Sequence, residues 1–224
     1  MSITATTPED LLGPLNEIER KNAPDKLYLA GNRAVFSAGP RVSVVGSRKV
    51  TEEGISRAAK LTRALVRRGA VVVSGLAEGI DTIAHTTAMQ AGGSTIAVLG
   101  TPLDQFFPAS NRQLQERIMR EHLAISQFES GGGPKNFPIR NRTMALISEV
   151  TVIVEAGEKS GTVHQGWEAL RLGRLLFLLE SLAVRKQNWT EELIHYGAQV
   201  LSDANKEAFL ESLPERTSGE QLAI

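Results

Sequence analysis

Several clusters of small, hydroxyl-bearing and cationic residues stand out in this sequence, and each is of a kind that can hold an anion. Gly46-Ser47-Arg48 follows a short β-branched run. Small residues there let backbone amides approach a phosphate, the Ser47 hydroxyl can donate to it, and Arg48 can make a forked, charge-assisted contact. The same triplet also suits a plain glycine turn beside a solvated arginine, and it is not the G-x-G-x-x-G fingerprint of dinucleotide binding. The second cluster is Ser74-Gly75-Leu76-Ala77-Glu78-Gly79-Ile80-Asp81, with His85 one helical turn beyond. Glycines flanking a helix start can leave amides aimed at a phosphate, while Asp81 either caps that helix or binds a sugar hydroxyl. A carboxylate and a histidine at i, i+4 read first as structural support. They do not repeat H-E-x-x-H, so no metal is expected.

Further along, the stretch 100–111 carries Phe106 and Phe107, which are expected to pack down, the alternative being that they face a base. The stretch 131–142 reads Gly-Gly-Gly-Pro-Lys-Asn-Phe-Pro-Ile-Arg-Asn-Arg and gathers Lys135, Phe137, Arg140, Asn141 and Arg142 into a flexible segment ahead of a helix expected to begin at Asn141. Cations meet phosphates and an aromatic face stacks a base, which is the composition of a single-strand platform. The alternative is a solvated basic loop with Phe137 in the core. Finally, Glu155 closes a strand and Lys159-Ser160-Gly161-Thr162 opens a helix, where Ser160 caps the end or the amides bind an anion.

The elements that must position these clusters follow from hydrophobic period. From Arg41 onward, short β-branched runs at 42–45, 70–74, 94–99, 123–127, 151–155 and 175–179 alternate with longer amphipathic stretches. That alternation is the pattern of parallel strands joined by crossover helices, in an α/β doubly wound sheet with helices on both faces. Helices are expected at 51–68, 79–91, 111–121, 141–148 and 161–172, the first burying Ile55, Ala58, Ala59, Thr62, Leu65 and Val66. Gly69, Gly92 and Gly173 stand where left-handed caps end such helices. Residues 1–40 are expected to form a lead-in packed on the core, helical from Thr7 with a strand near 27–30. Residues 41–213 would form the main domain, closing with a helix, a strand and a helix at 191–196, 198–202 and 205–213, and 214–224 a frayed tail. There is no internal repeat. Ligands of such sheets sit beyond the carboxyl ends of the strands, and all of the clusters fall there.

Composition narrows the classes. The 25 Lys and Arg balance 25 Asp and Glu, so any affinity for nucleic acid must come from a local patch. The absence of cysteine excludes disulfides, thiolate metal sites and cysteine nucleophiles. No apolar run reaches the ~20 residues of a membrane span, and the N-terminus does not have the basic-then-apolar order of a signal peptide, so a cytoplasmic location is expected.

Taken in order, Val44-Val45-Gly46-Ser47-Arg48, the 74–81 cluster with His85, Ile96-Ala97-Val98-Leu99-Gly100, Phe137-Pro138-Ile139-Arg140-Asn141-Arg142 and Glu155 through Lys159-Ser160-Gly161 resemble the DprA/Smf family of DNA-processing proteins. The likeness runs from about Asn22 to Leu213. It implies an extended Rossmann-like fold that binds single-stranded DNA without strong sequence preference, forms homodimers and helps load the recombinase RecA during natural transformation, with no turnover and no cofactor. It also implies DNA contacts from Arg48, Phe137, Arg140 and Arg142, with Lys135 beside them; the phosphate seat expected from the loops themselves is Gly46, Ser47, Ser74, Gly75, Gly79, Asn141, Lys159, Ser160 and Gly161. Many members add a helical domain before and a winged-helix domain after this core, and the sequence resembles the core alone.

Two other readings remain. A pared-down relative of this kind could serve as the antitoxin or phage-defence partner of a toxic protein. The fold is also shared by lysine-decarboxylase-like nucleoside-monophosphate phosphoribohydrolases, whose Gly-Gly-x-Gly-Thr-x-x-Glu motif is matched by Gly161-Thr162-Val163-His164-Gln165 with glutamine in place of the glutamate. An amide cannot act as a general base, which counts against hydrolysis unless Glu168 substitutes.

Overall fold

Runs such as Val71–Ser74 and Thr95–Leu99 are mostly apolar and rich in β-branched residues, and such runs form strands covered on both faces, buried along their whole length. The computed structural model describes residues 2–158 and 160–214. Its strands are β1 (Ile3–Thr6), β2 (Leu27–Gly31), β3 (Arg41–Gly46), β4 (Val71–Ser74), β5 (Thr95–Leu99), β6 (Leu123–Ser126), β7 (Val150–Glu155), β8 (Leu175–Leu179) and β9 (Gln199–Leu201). Two short helices, α1 (Pro8–Leu12) and α2 (Glu17–Asn22), lie between the first two strands. The crossovers carry α3 (Glu52–Arg67), α4 (Ile80–Gln90), α5 (Arg112–Glu121), α6 (Asn136–Ile147), α7 (Gly161–Arg171), α8 (Glu180–Ala183) and α9 (Asn188–His195), and α10 (Lys206–Glu211) follows the last strand.

The strands form one sheet in the order β1-β2-β6-β5-β4-β3-β7-β8-β9. Every neighbouring pair from β6 to β9 is parallel. The period of two sends alternate residues to opposite cores. Val45, Val73 and Ile153 join Met144 and Ile147 of α6 and Leu193 of α9 on one face. Val44, Val72 and Val152 join Leu61 and Leu65 of α3, Ile80 and Ala84 of α4 and Phe209 of α10 on the other. Fully burying each such side chain contributes about 1.5–3 kcal/mol, so the doubly covered centre of the sheet is where the fold is held. This is the α/β, extended Rossmann-like architecture expected from the alternation of elements.

The structure departs from expectation in three places. The lead-in does not only pack on the core: β2 pairs antiparallel with β6, and β1 pairs antiparallel with β2, so the N-terminal segment extends the sheet. The apolar stripe of α3 is rotated, with Gly54, Ala58, Leu61 and Leu65 buried and Ile55 43% exposed, because Gly54 must face the end of β7. Helix α6 starts at Asn136, so Phe137 to Arg142 lie on a helix and not in a loop. Pro138 is tolerated there because first-turn amides need no intrahelical acceptor. The tail expected to fray from Pro214 lies, apart from that residue, outside the described residues. No helix among the described residues is long and apolar enough to cross a membrane.

Candidate nucleic-acid interface

From β3 the chain winds outward through β4, β5 and β6, then returns to lay β7, β8 and β9 on the other side of β3. Helix α3 leaves β3 toward one face and α7 leaves β7 toward the other, so a crevice opens above these two strand ends. A cavity of about 550 Å³ lies there, walled by Gly46, Ser47, Arg48 and Lys49 after β3, by Phe137, Arg140, Asn141 and Met144 of α6, and by Ser160, Gly161, Thr162 and Gln165 of α7.

The loops around this cavity are tied to each other. The Ser47 amide donates to Glu155 O at 2.7 Å, the Ile80 amide to Ser47 O at 3.1 Å, and the Ser47 hydroxyl to Lys49 O at 2.6 Å. Glu155 accepts from the Thr51 hydroxyl at 2.7 Å, and Thr51 in turn caps α3 by accepting from the Gly54 amide at 3.0 Å. A Cβ at Gly46 would lie 2.8 Å from Glu155 O, and one at Gly79, whose φ is +79°, would lie 2.6 Å from Arg48 O. These glycines are required because one loop packs directly on another.

The second cluster does not leave its amides open as expected. Asp81 does not cap α4, whose N-cap is Gly79; its carboxylate accepts from the Gly75 and Ala77 amides at 3.1 and 3.3 Å. Ser74 is fully buried and donates to Val44 O at 2.7 Å. Arg140 is 5% exposed and donates to Gly75 O, to Val98 O at 2.7 Å and to Asn141 Oδ1 at 3.0 Å. A side chain at Gly75 would overlap the Arg140 guanidinium. Burial raises the pKa of Asp81, and the Arg140 charge opposes that shift; burial likewise lowers that of Arg140, opposed by Asp81. His85 is fully buried, and its Nδ1 lies 2.7 Å from Thr95 Oγ1, which itself donates to Val72 O; Nδ1 therefore carries the proton. Burial, with the His122 and Arg140 charges adding to it, pushes its pKa down to about 3, so the ring is neutral. For Asp81 and His85 the geometry shows structural support.

The exposed part of the site is different in kind. The Arg48 guanidinium sits 5.5 Å from the Phe137 ring centroid, and the Phe107 ring lies 5.3 Å from Phe137 at 41°. Phe107 is 49% exposed rather than packed down, because Phe137 occupies the space over Gly100, where a Cβ would be 2.7 Å from the ring. Phe106 meets the Arg112 guanidinium at 4.7 Å. Lys135 is exposed at the start of α6. Arg142 lies outside this cluster, its guanidinium 3.2 Å from Glu168, which is 1% exposed and also contacts His164 and Arg171. Ser160 caps α7 by accepting from the Thr162 amide at 3.2 Å, Thr162 donates to Gly46 O at 3.1 Å, and Asn141 donates to Gly161 O at 3.1 Å. Lys159 lies outside the described residues. Among the described residues no group of three or more acidic, histidine or cysteine side chains could hold a metal ion. Lys49 and Gln165 are cavity residues that the motifs did not single out as ligand contacts, since their place depends on how β3 and α7 converge.

Fold and site define a Rossmann-like α/β protein whose switch-point crevice is rimmed by cations and aromatic rings. The model of the family described as DNA recombination-mediator protein A matches residues 6–213, and the chain belongs to that family, the DprA/Smf family of DNA-processing proteins. It is 38% identical to protein Smf of Synechocystis sp. over 97% of this chain and 56% of that protein. It is 37% identical to DNA processing protein DprA of Streptococcus pneumoniae over 84% of this chain and 67% of that protein. The X-ray structure of S. pneumoniae DprA superposes with a TM-score of 0.79, covering 95% of this chain and 75% of that one at 32% identity. A Helicobacter pylori DprA structure, described for its single-stranded DNA binding mode, superposes with a TM-score of 0.76 over 94% and 95% of the two chains at 28% identity. The chain thus spans a little over half the length of its Synechocystis relative.

Proposed function

We propose that this chain binds single-stranded DNA, without turnover, along the crevice above β3 and β7. The observation that carries this reading is the stack of exposed Arg48, half-buried Phe137 and exposed Phe107 at the mouth of the cavity, beside Lys49. A cation beside accessible aromatic surface, here that of Phe107, serves a phosphate and its base together, and it does so for any base. The DprA relatives and the single-stranded DNA binding described for the H. pylori protein support the same reading.

Within it, the residues divide by exposure. Arg48, Lys49, Lys135 and Phe137 meet the strand, with Gly46, Ser47, Ser160 and Gly161 bordering its path and Arg142 offering the outer edge of its paired guanidinium. Ser74, Gly75, Gly79, Arg140 and Asn141 hold the loops in place from beneath. Catalysis finds little support in the geometry: Glu155 is committed to Thr51, Glu168 to three cationic or histidine side chains, and position 165 is an amide. We further propose a homodimer, delivery of the strand to a recombinase and a cytoplasmic location, each of which membership in the family supports.

Binding of a fluorescent oligonucleotide at several salt concentrations tests the proposal. Affinity is expected to fall steeply with salt, since single strands release about 0.7 counterion per neutralised phosphate. Arg48→Ala should weaken binding and flatten that slope by about one such contact. Undetectable binding at low salt, or an Arg48→Ala variant indistinguishable from the parent, would refute it.

A further inference from the structure

A second groove, of about 320 Å³, opens where the carboxyl ends of β8 and β9 meet α3, α8 and the start of α10, and it shares no wall residue with the crevice. Its floor is aliphatic: Leu61 and Leu201 are buried, Leu179 is half-buried, and Val184, 69% exposed, stands at the lip. One wall is cationic. Lys60 and Lys206 reach the same oxygen of Asp203, at 2.9 and 3.5 Å, so two ammonium groups are drawn together there, with Arg57 one turn before Lys60. After Glu53, α3 carries no acidic residue, and Arg63 and Arg67 continue its basic face. Arg57, Arg63 and Arg67 make no ion pair with any described residue. The helix dipole accounts for a cation in the last turn, as at Arg67, but not for Arg57 and Lys60 in the middle of the helix. In a chain whose charges balance, this surplus is a local feature.

An aliphatic floor beside unpaired cations selects a partner that is both apolar and anionic. A nucleic-acid strand brings the charge, but the groove has no aromatic ring on which a base could stack, and Glu180 and Asp203 in its wall would face the phosphates. A peptide can set its carboxylates on the cations, away from Glu180, while its apolar side chains enter the groove, as amphipathic segments do in grooves of this kind. The exposed pairs that Asp203 makes are weak, so a carboxylate of the partner can join or displace it. We propose that this groove docks an acidic peptide segment of another protein, its apolar side chains on the Leu61 and Leu201 floor and its carboxylates on Arg57, Lys60 and Lys206.

Because the groove is separate from the crevice, this proposal stands independently of the single-strand reading. The probe is a short fluorescein-labelled peptide that alternates Asp and Leu, titrated with the full chain and followed by anisotropy. One companion peptide carries Asn for Asp and another Ser for Leu. The Asp-Leu peptide should bind saturably, and each companion about tenfold or more weakly than it. Lys60→Glu, which sets like charge against the peptide, should weaken binding by about tenfold. Val184→Asp at the lip should weaken it by about threefold. Both side chains are exposed, so these variants are expected to fold, which thermal melting verifies, and their affinity for an oligonucleotide should match the parent's. Arg48→Ala, conversely, should bind the peptide as the parent does. No saturable binding by the parent, equal affinity for the Asn companion, or a Lys60→Glu variant that binds the peptide undiminished would overturn the proposal. A comparable loss of oligonucleotide affinity in Lys60→Glu would also overturn it, by making the groove part of the strand's path. So would a change in the mass of that variant in solution, which would make a second copy of the chain the occupant.

Discussion

Arg41 and Arg48 stand at the two ends of β3 and differ completely in what surrounds them. Arg41 is 3% exposed, pairs with Glu149, donates to Ile147 O and, at 3.1 Å, to Phe36 O, and lies 4.2 Å from the Phe36 ring centroid. Arg48 is exposed and faces the Phe137 ring. At the amino end of the strand, neighbouring chain segments close over the guanidinium and use it to satisfy their carbonyls. At the carboxyl end the segments after β3 and β7 part, and the charge is left where a ligand could reach it. Position along the strand is not by itself the cause. Arg140 also lies at the carboxyl end, yet it is buried among the Gly75 and Val98 carbonyls, so packing of loop on loop decides which guanidinium is structural.

The largest expected effect tests the buried member. Arg41→Leu takes the guanidinium away from Glu149, which keeps the backbone amide of residue 41, and from the carbonyls of Phe36 and Ile147, and removing one partner from a buried ion pair costs about 3–5 kcal/mol. Urea unfolding should show that loss, with oligonucleotide affinity unchanged while the variant remains folded. A loss of less than about 1 kcal/mol, the median worth of a surface pair, would break the contrast between the two ends.

A smaller effect comes from the neutral ring packed below the site. His85 has a folded pKa of about 3, below the ordinary value near 6.5. As pH falls through 6.5 the unfolded chain takes up a proton that the native state refuses until about pH 3. Stability is therefore fullest above pH 6.5 and declines toward 3, at up to about 1.4 kcal/mol per pH unit. Asp81 acts in the opposite sense, because its raised pKa means that acid relieves a buried carboxylate. Comparison with His85→Gln isolates the histidine: between pH 7 and 4 the parent should lose about 3 kcal/mol more than the variant. Parallel pH profiles would show that the ring is not held neutral.

How much of this was legible beforehand follows from the range of the interactions. The parallel strands were readable because a continuous β-branched run between glycines is a local signal. Strand β2 is legible near 27–30, but its antiparallel pairing, and β1 altogether, are not, since the place of β2 is chosen by the edge that β6 presents and that of β1 by β2. Four of the site's loops were visible as motifs at strand ends, but burial of Arg140 depends on Gly75 and Val98, both distant in sequence, and the letters of a buried and an exposed arginine are the same. The sequence places the start of α6 late because glycines and Pro138 resemble a loop, whereas the first turn of a helix tolerates the proline. Gln165 reads in the sequence only as a glutamine where a glutamate would stand; its burial in the wall of the crevice becomes apparent once β3 and α7 enclose it.

The smallest expected effect on stability sharpens the contrast most. Arg48→Ala removes an exposed cation from beside the half-buried Phe137 ring, and surface substitutions usually fall within about 0.5 kcal/mol. The unfolding midpoint should therefore barely move while affinity for a single strand drops. The two readouts must separate in this variant and stay joined to opposite ends of β3, stability to Arg41 and binding to Arg48. If Arg48→Ala instead lowered stability as much as Arg41→Leu, the guanidinium over Phe137 would be a strut of the loop packing, and the cationic mouth of the crevice would have to be sought in Lys49 and Lys135.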